Sequence, residues 1–225
     1  MILSIAAISD APKLAEIRDG LAKLEWQDGR ATAGKVAARV KVNEQAIMSQ
    51  PSGRALQQIL TPPIADNPVV KAAARPRHIT SLMISKTQGG GHYGLHVDNA
   101  LMGKGQAQIR TDISFTLFLN EPSEYEGGEL VVQAAGLTQT IKAPAGNLVL
   151  YPSTSIHEVK PVTSGNRIVA VGWIESHIRD PAMRELLFDM QNTRNSLSAK
   201  LPADAAELLM IDKSIANLMR MWSGA

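Results

Sequence analysis

The sequence predicts an α+β fold, in which a double-stranded β-helix (jelly roll) core lies between N-terminal and C-terminal helices. Two observations support this class. Apolar residues recur at helical spacing near both ends of the 225-residue chain. Between them, short apolar runs bounded by Gly, Pro and Asn follow one another at intervals of about ten residues, as in antiparallel sheets that pack on each other.

The N-terminal segment, residues 1–76, is predicted to contain a first strand and supporting helices. Residues 1–8 are apolar but carry no basic region before them, so they indicate a strand rather than a secretion signal. Asp10 and Pro12 mark the start of a helix, and the helical spacing that follows continues through Trp26. Two further helices are predicted at 52–59 and 67–74, separated by Pro62 and Pro63.

The predicted core spans residues 77–177, and residues 178–225 form a C-terminal helical extension. The extension begins at Asp180 and Pro181, a capping residue followed by a proline that the first helical turn tolerates. Its helices are predicted to run to residue 192 and then over 202–222. The core strands are expected at 78–86, 93–98, 112–119, 129–133, 138–142, 147–151, 156–160 and 167–175.

Composition limits the classes of function. The chain has no cysteine, which excludes a disulfide framework and removes thiols that an oxygen-activating iron centre could oxidise. Its net charge of +2 and the absence of Lys/Arg runs argue against nucleic-acid partners. No apolar stretch reaches the length of a membrane span. We therefore expect a cytoplasmic protein without a membrane partner, and the sequence leaves open whether it forms a homodimer.

Three residues of metal-ligand type stand out. His96 and Asp98 are separated by one residue, so in an extended strand their side chains point to the same side. His157 follows a strand and a Pro/Ser turn and can supply a third ligand. Two imidazoles and one carboxylate on one face of an octahedron are the ligand set of non-haem Fe(II) oxygenases. The sequence therefore predicts an Fe(II) site at His96, Asp98 and His157.

Arg167 is the predicted anchor of an oxoacid cosubstrate. It opens the mostly apolar run 167–174, so its charged side chain can face a cavity. A planar guanidinium pairs with a carboxylate through two parallel hydrogen bonds. We expect no catalytic residue beyond the metal centre.

These residues belong to a pattern that resembles the prolyl-4-hydroxylase-like Fe(II)/2-oxoglutarate-dependent dioxygenases and, within them, the bacterial PKHD-type hydroxylases associated with iron uptake. The stretches that carry the resemblance are 26–34, 94–99, 110–119, 125–130, 144–153, 179–181 and 186–189, together with His157 and Arg167. One position departs from the pattern. Related enzymes often place a tyrosine nine or ten residues before the first ligand, where Lys86 and Thr87 stand here. Another residue is then expected to assist Arg167.

The resemblance implies an Fe(II)- and 2-oxoglutarate-dependent dioxygenase that uses O2, hydroxylates a substrate and releases succinate and CO2. Ascorbate dependence and a role in iron homeostasis are implied in the same way. The substrate stays unidentified: a peptidyl or free amino acid such as proline, or a small molecule of iron uptake, fits the resemblance. Asp98 favours hydroxylation over halogenation, since halogenating relatives give up this carboxylate.

Two other classes of protein stay open at this stage. One is a non-catalytic jelly-roll protein that binds iron or another ligand in iron homeostasis, against which the cosubstrate anchor Arg167 argues. The other is a cupin-type dioxygenase that works without 2-oxoglutarate, which ordinarily has more histidines around its metal.

The neighbourhood of the ligand pair carries three further expectations. His92 is interpreted as an exposed strand residue. Tyr93 faces away from His96 if the strand is regular, although the adjacent glycines can disturb the alternation. Residues 100–109, with two glycines and no clear period, are a candidate lid over the substrate, with Arg110 at its base.

Overall fold

A computed structural model describes residues 1–32, 37–103, 105, 108–134 and 136–224. Within these residues the chain forms two large antiparallel sheets, one small one and five α-helices. Among them, no helix combines the length and the apolar character that a membrane crossing requires. The predicted α+β class with a jelly-roll core and helices at both ends is confirmed.

The helices agree with the predicted segments, with two corrections. They are α1 (Ala11–Leu21), α2 (Pro51–Ala65), α3 (Pro68–Ala74), α4 (Pro181–Ser198) and α5 (Ala206–Trp222). Side chains cap three of them at the expected places, because Asp10, Asn67 and Asp180 each accept a hydrogen bond from a backbone N–H of the first turn.

The first correction concerns Trp26, which the helical spacing placed in α1. The helix ends at Leu21, and Trp26 instead pairs with Ala46 in an antiparallel strand pair. The second concerns Pro62 and Pro63, which were expected to end a helix and lie inside α2. Leu60 and Ile64 are both almost fully buried on one side of this helix, so packing holds the last turn despite the missing N–H groups.

Sixteen strands are present among the described residues. They are β1 (Leu3–Ala6), β2 (Trp26–Asp28), β3 (Lys41–Val42), β4 (Glu44–Ala46), β5 (Pro76–Ile79), β6 (Met83–Gln88), β7 (His92–His96), β8 (Leu101–Met102), β9 (Ile109–Arg110), β10 (Ile113–Phe118), β11 (Tyr125–Gly127), β12 (Leu130–Ala134), β13 (Leu137–Ile141), β14 (Asn147–Pro152), β15 (Ile156–Val159) and β16 (Val162–Ser176). Each predicted core strand has a counterpart, and the one expected over 78–86 is divided into β5 and β6.

The strands form a nine-stranded major sheet and a five-stranded minor sheet. The major sheet has the order β1-β14-β10-β16-β6-β4-β2, and β5 and β11 also pair with β16. The minor sheet has the order β13-β12-β15-β7-β3, while β8 and β9 form a separate hairpin. A core cluster that includes Phe118, Leu130, Val149 and Val169 draws on both sheets, so the two sheets pack face to face.

The outer face of the major sheet packs on the N-terminal helices. Phe115, Leu117 and Ile174 from the sheet belong to one buried cluster with Ile17 of α1 and Leu56 of α2. Strands β1, β2 and β4 of the N-terminal segment lie in the major sheet, and β3 lies in the minor sheet. These pairings join residues 1–76 closely to the core. The division of the chain into residues 1–76, 77–177 and 178–225 stays a prediction.

Candidate metal centre and cosubstrate pocket

His96, Asp98 and His157 meet at one end of the space between the sheets. Strands β7 and β15 are antiparallel neighbours, and their register sets His96 directly opposite His157. Asp98 lies two residues beyond His96, just after the end of β7. One ligand-type atom from each of the three residues lies within 4.8 Å of the others. The structure thus brings together the three residues that the sequence predicted as ligands.

Backbone carbonyls hold both imidazoles in one orientation. Nδ1 of His96 lies 2.7 Å from the carbonyl oxygen of Gly94, and Nδ1 of His157 lies 3.0 Å from that of Ser155. A carbonyl only accepts hydrogen bonds, so Nδ1 carries the proton in each ring. Nε2 is then left with a lone pair, which is the form that binds a metal ion.

Asp98 is oriented by a chain of two buried hydroxyl groups. The Ser114 hydroxyl donates to Oδ2 of Asp98 at 2.5 Å, and the hydroxyl groups of Ser114 and Ser153 lie 2.7 Å apart. Both serines are buried: Ser114 lies on β10, and Ser153 directly follows the last residue of the adjacent strand β14. A hydroxyl bond to a carboxylate fixes its rotation, so the major sheet positions a ligand that the loop after β7 supplies.

Burial favours the neutral state of the first imidazole. The pKa of His96 lies well below its ordinary value, chiefly because burial penalises the charged ring and secondarily because His157 lies beside it. The ring centroids of the two histidines are 4.2 Å apart. Metal binding requires a neutral imidazole, so this environment prepares His96 to act as a ligand.

The three residues line a cavity of about 100 Å³ between the two sheets. Arg167 lines the same cavity from β16, with Thr87 beside it in register on β6. Tyr151 of β14 also lines the cavity, and its ring packs edge-on against His157 with 5.1 Å between centroids. The cavity therefore has a metal-ligand set on one wall and a cation on another.

Arg167 is a buried cation with spare hydrogen-bonding capacity. Its side chain is 2% exposed, and Nε has no hydrogen-bond partner among the described residues. Burial lowers its pKa, and the nearest compensating groups are the phenols of Tyr125 and Tyr151, with Glu129 contributing less. Burying a charged guanidinium raises the free energy of the protein unless an anion pairs with it. The surroundings of Arg167 are therefore suited to binding a carboxylate.

Tyr93 faces the metal ligands, contrary to the expectation for a regular strand. The register between β7 and β15 shifts between the pairs His96–His157 and Tyr93–Val159, which marks a bulge. The bulge reverses the alternation, and the Tyr93 ring stacks on His96 with centroids 3.6 Å apart and planes 16° apart. The glycine-rich approach to the ligand pair was the sequence signal for this disturbance.

The structure adds cavity residues that the sequence analysis missed. They are Lys41 and Gln45 from the N-terminal strands, Ser85 of β6, and Ser114 and Tyr151 beside the metal ligands. Residues 41, 43 and 45 can share one face of an extended segment, but Glu44 between them is polar too, so no alternation marks the first group in the sequence. Serine and tyrosine inside apolar strands were the signal for the others.

His92 and Arg110 lie outside the cavity lining, whereas the candidate lid contributes to it. His92 was interpreted as an exposed strand residue; it does lie in a strand, β7, but it is half-buried rather than exposed, with Nδ1 3.3 Å from the carbonyl oxygen of Gly90. Arg110 is bound by Asp112, at 2.7 and 2.9 Å, and pairs with Glu175. The candidate lid is in part the β8–β9 hairpin, and Met102 of β8 lines the cavity. Residues 104, 106 and 107 lie outside the described part, so the lid stays a prediction.

Comparisons with known proteins agree with this geometry. A model of the 2OG-Fe(II) oxygenase superfamily matches residues 82–175. A PKHD-type hydroxylase of Hyphomonas neptunium is 48% identical over 93% of this chain and 94% of its own length. Another from Synechococcus elongatus is 45% identical over 99% of this chain and 100% of its own. These matches confirm the resemblance that the sequence indicated.

Solved structures show the same fold at low sequence identity. A prolyl hydroxylase from Trichoplax adhaerens, in complex with a hypoxia inducible factor peptide, aligns with a TM-score of 0.59 and 16% identity. The alignment covers 81% of this chain and 86% of that one. The α-ketoglutarate-dependent epimerase SnoN aligns with a TM-score of 0.54 and 14% identity, over 79% and 77% of the two chains. The two neighbours differ in reaction, so the fold by itself does not choose a substrate.

Proposed function

Because the chain belongs to the PKHD-type hydroxylases of the 2OG-Fe(II) oxygenase superfamily, we propose that His96, Asp98 and His157 hold its Fe(II) and that Arg167 anchors its 2-oxoglutarate. The protein is a 2-oxoglutarate-dependent dioxygenase that hydroxylates an unidentified substrate and releases succinate and CO2. The observation that carries the residue assignment is the closeness of the three ligand atoms, within 4.8 Å, in one cavity with a buried guanidinium.

The residues present suit both groups. Two neutral imidazole nitrogens and one carboxylate oxygen are a ligand set that leaves open positions on Fe(II). The orphaned Nε of Arg167 is a buried donor that a carboxylate can satisfy. Gly128 supports the same reading, since a Cβ at this position would lie 2.9 Å from Cδ of Arg167. A glycine at this position therefore leaves space for the side chain of Arg167.

When bound, Fe(II) and 2-oxoglutarate supply the oxidising power that converts a C–H bond of the substrate into C–OH with O2. The protein's own part is to bind and orient. The carbonyls of Gly94 and Ser155 fix the imidazole tautomers, and Ser114 fixes the Asp98 carboxylate. Val169, Val171 and Leu130 form apolar parts of the cavity wall.

Two hydroxyl groups are suited to assist Arg167 in place of the family tyrosine. Thr87 stands at one of the two positions where that tyrosine is found, and it pairs in register with Arg167. Tyr151 of β14 also lines the cavity, and burial raises the pKa of its phenol, so the phenol keeps its proton. A threonine hydroxyl and a phenol can both donate to a carboxylate, which is the requirement for this role.

We also propose the finer properties that the resemblance implies. Ascorbate would support turnover, the pathway would belong to iron homeostasis, and the protein would act in the cytoplasm. The similarity to PKHD-type hydroxylases supports the first two. Reconstitution of turnover with and without ascorbate tests the ascorbate dependence. A comparison of metabolites between wild-type and gene-deleted cells, grown with and without iron, tests the role in iron homeostasis. Localisation of a tagged chain in those cells tests the cytoplasmic location.

Succinate formation separates this function from that of a non-catalytic iron-binding protein. The full-length chain is loaded with Fe(II), supplied with 2-oxoglutarate and O2, and analysed for succinate with and without a cell extract. We expect slow succinate formation alone and faster formation with the extract. Iron binding without succinate under both conditions would instead favour the binding protein.

A further inference from the structure

Tyr93 lies against the proposed metal ligands, and the function proposed above gives it no task. Its ring stacks on the imidazole of His96, with 3.6 Å between the centroids and 16° between the planes. The ammonium group of Lys41 lies 5.2 Å from the centroid of the same ring. Tyr93 also lines the cavity. The cavity therefore contains an electron-rich aromatic ring in contact with a proposed iron ligand.

The phenol of Tyr93 lies near Asp98 as well. Burial raises the pKa of this phenol, and the negative charge of Asp98 raises it further, an effect that requires the two groups to be close. A metal ion held by His96 and Asp98 lies where these two side chains converge. The ring of Tyr93 therefore runs beside that position, from the imidazole of His96 toward the carboxylate of Asp98.

Other side chains that oxidation attacks readily also line the cavity. They are Met83, Met102, Tyr151 and Trp173. Tyr151 packs edge-on against His157, with 5.1 Å between the centroids. Among the described residues, Tyr93 therefore makes the closer of the two tyrosine contacts with a proposed ligand. The chain has no cysteine, so no thiol competes with these groups for the oxidant.

We propose that Tyr93 is a modification site, whose ring the protein hydroxylates when no primary substrate is bound. The inference rests on the proposed function. One atom of O2 enters a ring C–H bond next to the phenol hydroxyl group, which gives a catechol side chain. The other oxygen atom enters succinate as 2-oxoglutarate loses CO2. The electrons that reduce O2 come in equal pairs from the ring C–H bond and from the decarboxylation, so the reaction is balanced.

The primary substrate competes with this modification. A bound substrate places its own C–H bond in the cavity, and filling an active site suppresses side reactions. Without a substrate, the oxidation acts on the ring that already lies beside the ligands. Hydroxylation of Tyr93 should therefore accompany the slow formation of succinate by the protein alone.

Paramagnetic NMR tests the position of the ring without turnover. The full-length chain, with isotopically labelled tyrosine rings, is loaded with Co(II) and 2-oxoglutarate in the absence of O2, and Zn(II) serves as the diamagnetic reference. The chain has three tyrosines, so Tyr93→Phe and Tyr151→Phe assign their signals. Relaxation should be accelerated most for Tyr93, less for Tyr151, and least for Tyr125, which lies outside the cavity lining. A larger effect on either of the others would overturn the inference.

Mass spectrometry locates the modification itself. The full-length chain is incubated with Fe(II), 2-oxoglutarate and isotopically heavy O2 without cell extract, then digested and sequenced. Tyr93 should gain one heavy oxygen atom in most chains, and fragment ions separate it from Met102. Tyr151 in the same digest is the internal control and should stay unmodified. Omission of 2-oxoglutarate, or the Asp98→Ala substitution, should abolish the gain, and addition of the cell extract should lower the gain per succinate formed.

The outcomes distinguish this inference from the function on which it rests. Succinate formation with unmodified Tyr93, or succinate that forms only with the extract, would overturn the inference alone. An equal gain at Tyr151, an equal gain without 2-oxoglutarate or in Asp98→Ala, or an undiminished gain per succinate with the extract would overturn it too. Iron binding and succinate formation that are both absent under every condition would overturn the proposed function as well.

Discussion

At the scale of single residues, the site depends on buried charges that their neighbours leave partly unsatisfied. Arg167 is the clearest case, because it is 2% exposed and its Nε lacks a partner among the described residues. Such a group lowers the free energy of the protein only when a ligand pairs with it. Its substitution should therefore affect ligand binding more than folding.

The Arg167→Ala variant should retain metal binding and lose affinity for 2-oxoglutarate. Leaving the buried carboxylate without its charged partner costs about 2–5 kcal/mol, a factor of about 30 or more in the dissociation constant. Arg167→Lys should recover only part of this, since an ammonium lacks the planar fork. Anaerobic calorimetric titration of the Mn(II)-loaded protein with 2-oxoglutarate measures both. An unchanged affinity in Arg167→Ala would remove Arg167 from the cosubstrate site.

Ser114→Ala should weaken metal binding without removing a ligand. The substitution deletes the hydroxyl that donates to Asp98 at 2.5 Å, so the carboxylate loses its fixed rotation. Loss of such an outer partner typically costs about 10- to 100-fold in metal affinity. Fe(II) titration measures the change. Thr111→Ala is a suitable control, because Thr111 is also buried and hydrogen-bonded but donates to the carbonyl of Asn99. Equal losses in the two variants would point to a general structural effect.

The sequence predicted the proposed ligand residues better than the residues that hydrogen-bond to them or pack against them. His96, Asp98, His157 and Arg167 are conspicuous because their side chains are unusual in apolar strands, and the structure brings them into one cavity. Their supporting groups are serine, threonine and tyrosine, which occur in many strands for other reasons. Whether such a hydroxyl reaches a ligand depends on pairing between distant strands, and local patterns do not fix that pairing.

At the scale of elements, the turn between β11 and β12 makes the space that Arg167 occupies. Gly127 and Gly128 have positive φ angles of 72° and 69°, in the region that favours glycine. A Cβ at Gly128 would lie 2.8 Å from Cγ2 of Val162 and 2.9 Å from Cδ of Arg167. The backbone of this turn therefore lies close against Arg167, the proposed cosubstrate anchor.

Gly128→Ala should lower both stability and 2-oxoglutarate affinity. Adopting the left-handed backbone conformation costs an alanine about 1–2 kcal/mol of stability. Its Cβ would also press against Arg167 and displace the guanidinium. Gly136→Ala is the matched control, since Gly136 has φ of 78° and no atom within 4 Å of the added Cβ. It should lose similar backbone stability and bind 2-oxoglutarate normally. Denaturant unfolding and calorimetry measure the two properties, and normal binding by Gly128→Ala would contradict the prediction.

Elements with a strong internal pattern were predicted, and those formed by pairing alone were missed. The apolar core strands and four capped or proline-initiated helices follow from local sequence. Strands β2, β3, β4, β8, β9 and β11 have two or three residues each, too few to show an alternation that would identify them. The continuation of α2 through Pro62 was missed because buried contacts sustain it.

At the scale of the whole molecule, each of the two sheets contributes part of the site. The minor sheet carries both imidazoles and leads into the loop with Asp98, while the major sheet carries Arg167 and Ser114, whose hydroxyl group donates to Asp98. Neither sheet alone therefore carries all the residues of the site. The N-terminal strands join both sheets, so removal of the first 76 residues should take away one cavity wall as well as the helices behind the major sheet.

The central claim is that His96, Asp98 and His157 together hold one metal ion, and anaerobic calorimetric titration with Fe(II) tests it most directly. The wild type should bind one ion per chain. His96→Ala, Asp98→Ala and His157→Ala should each weaken binding by more than about 100-fold, beyond the loss that outer partners cause. His92→Ala, a histidine outside the cavity lining, should bind as the wild type does. Wild-type affinity in any one of the three ligand variants would contradict the claim.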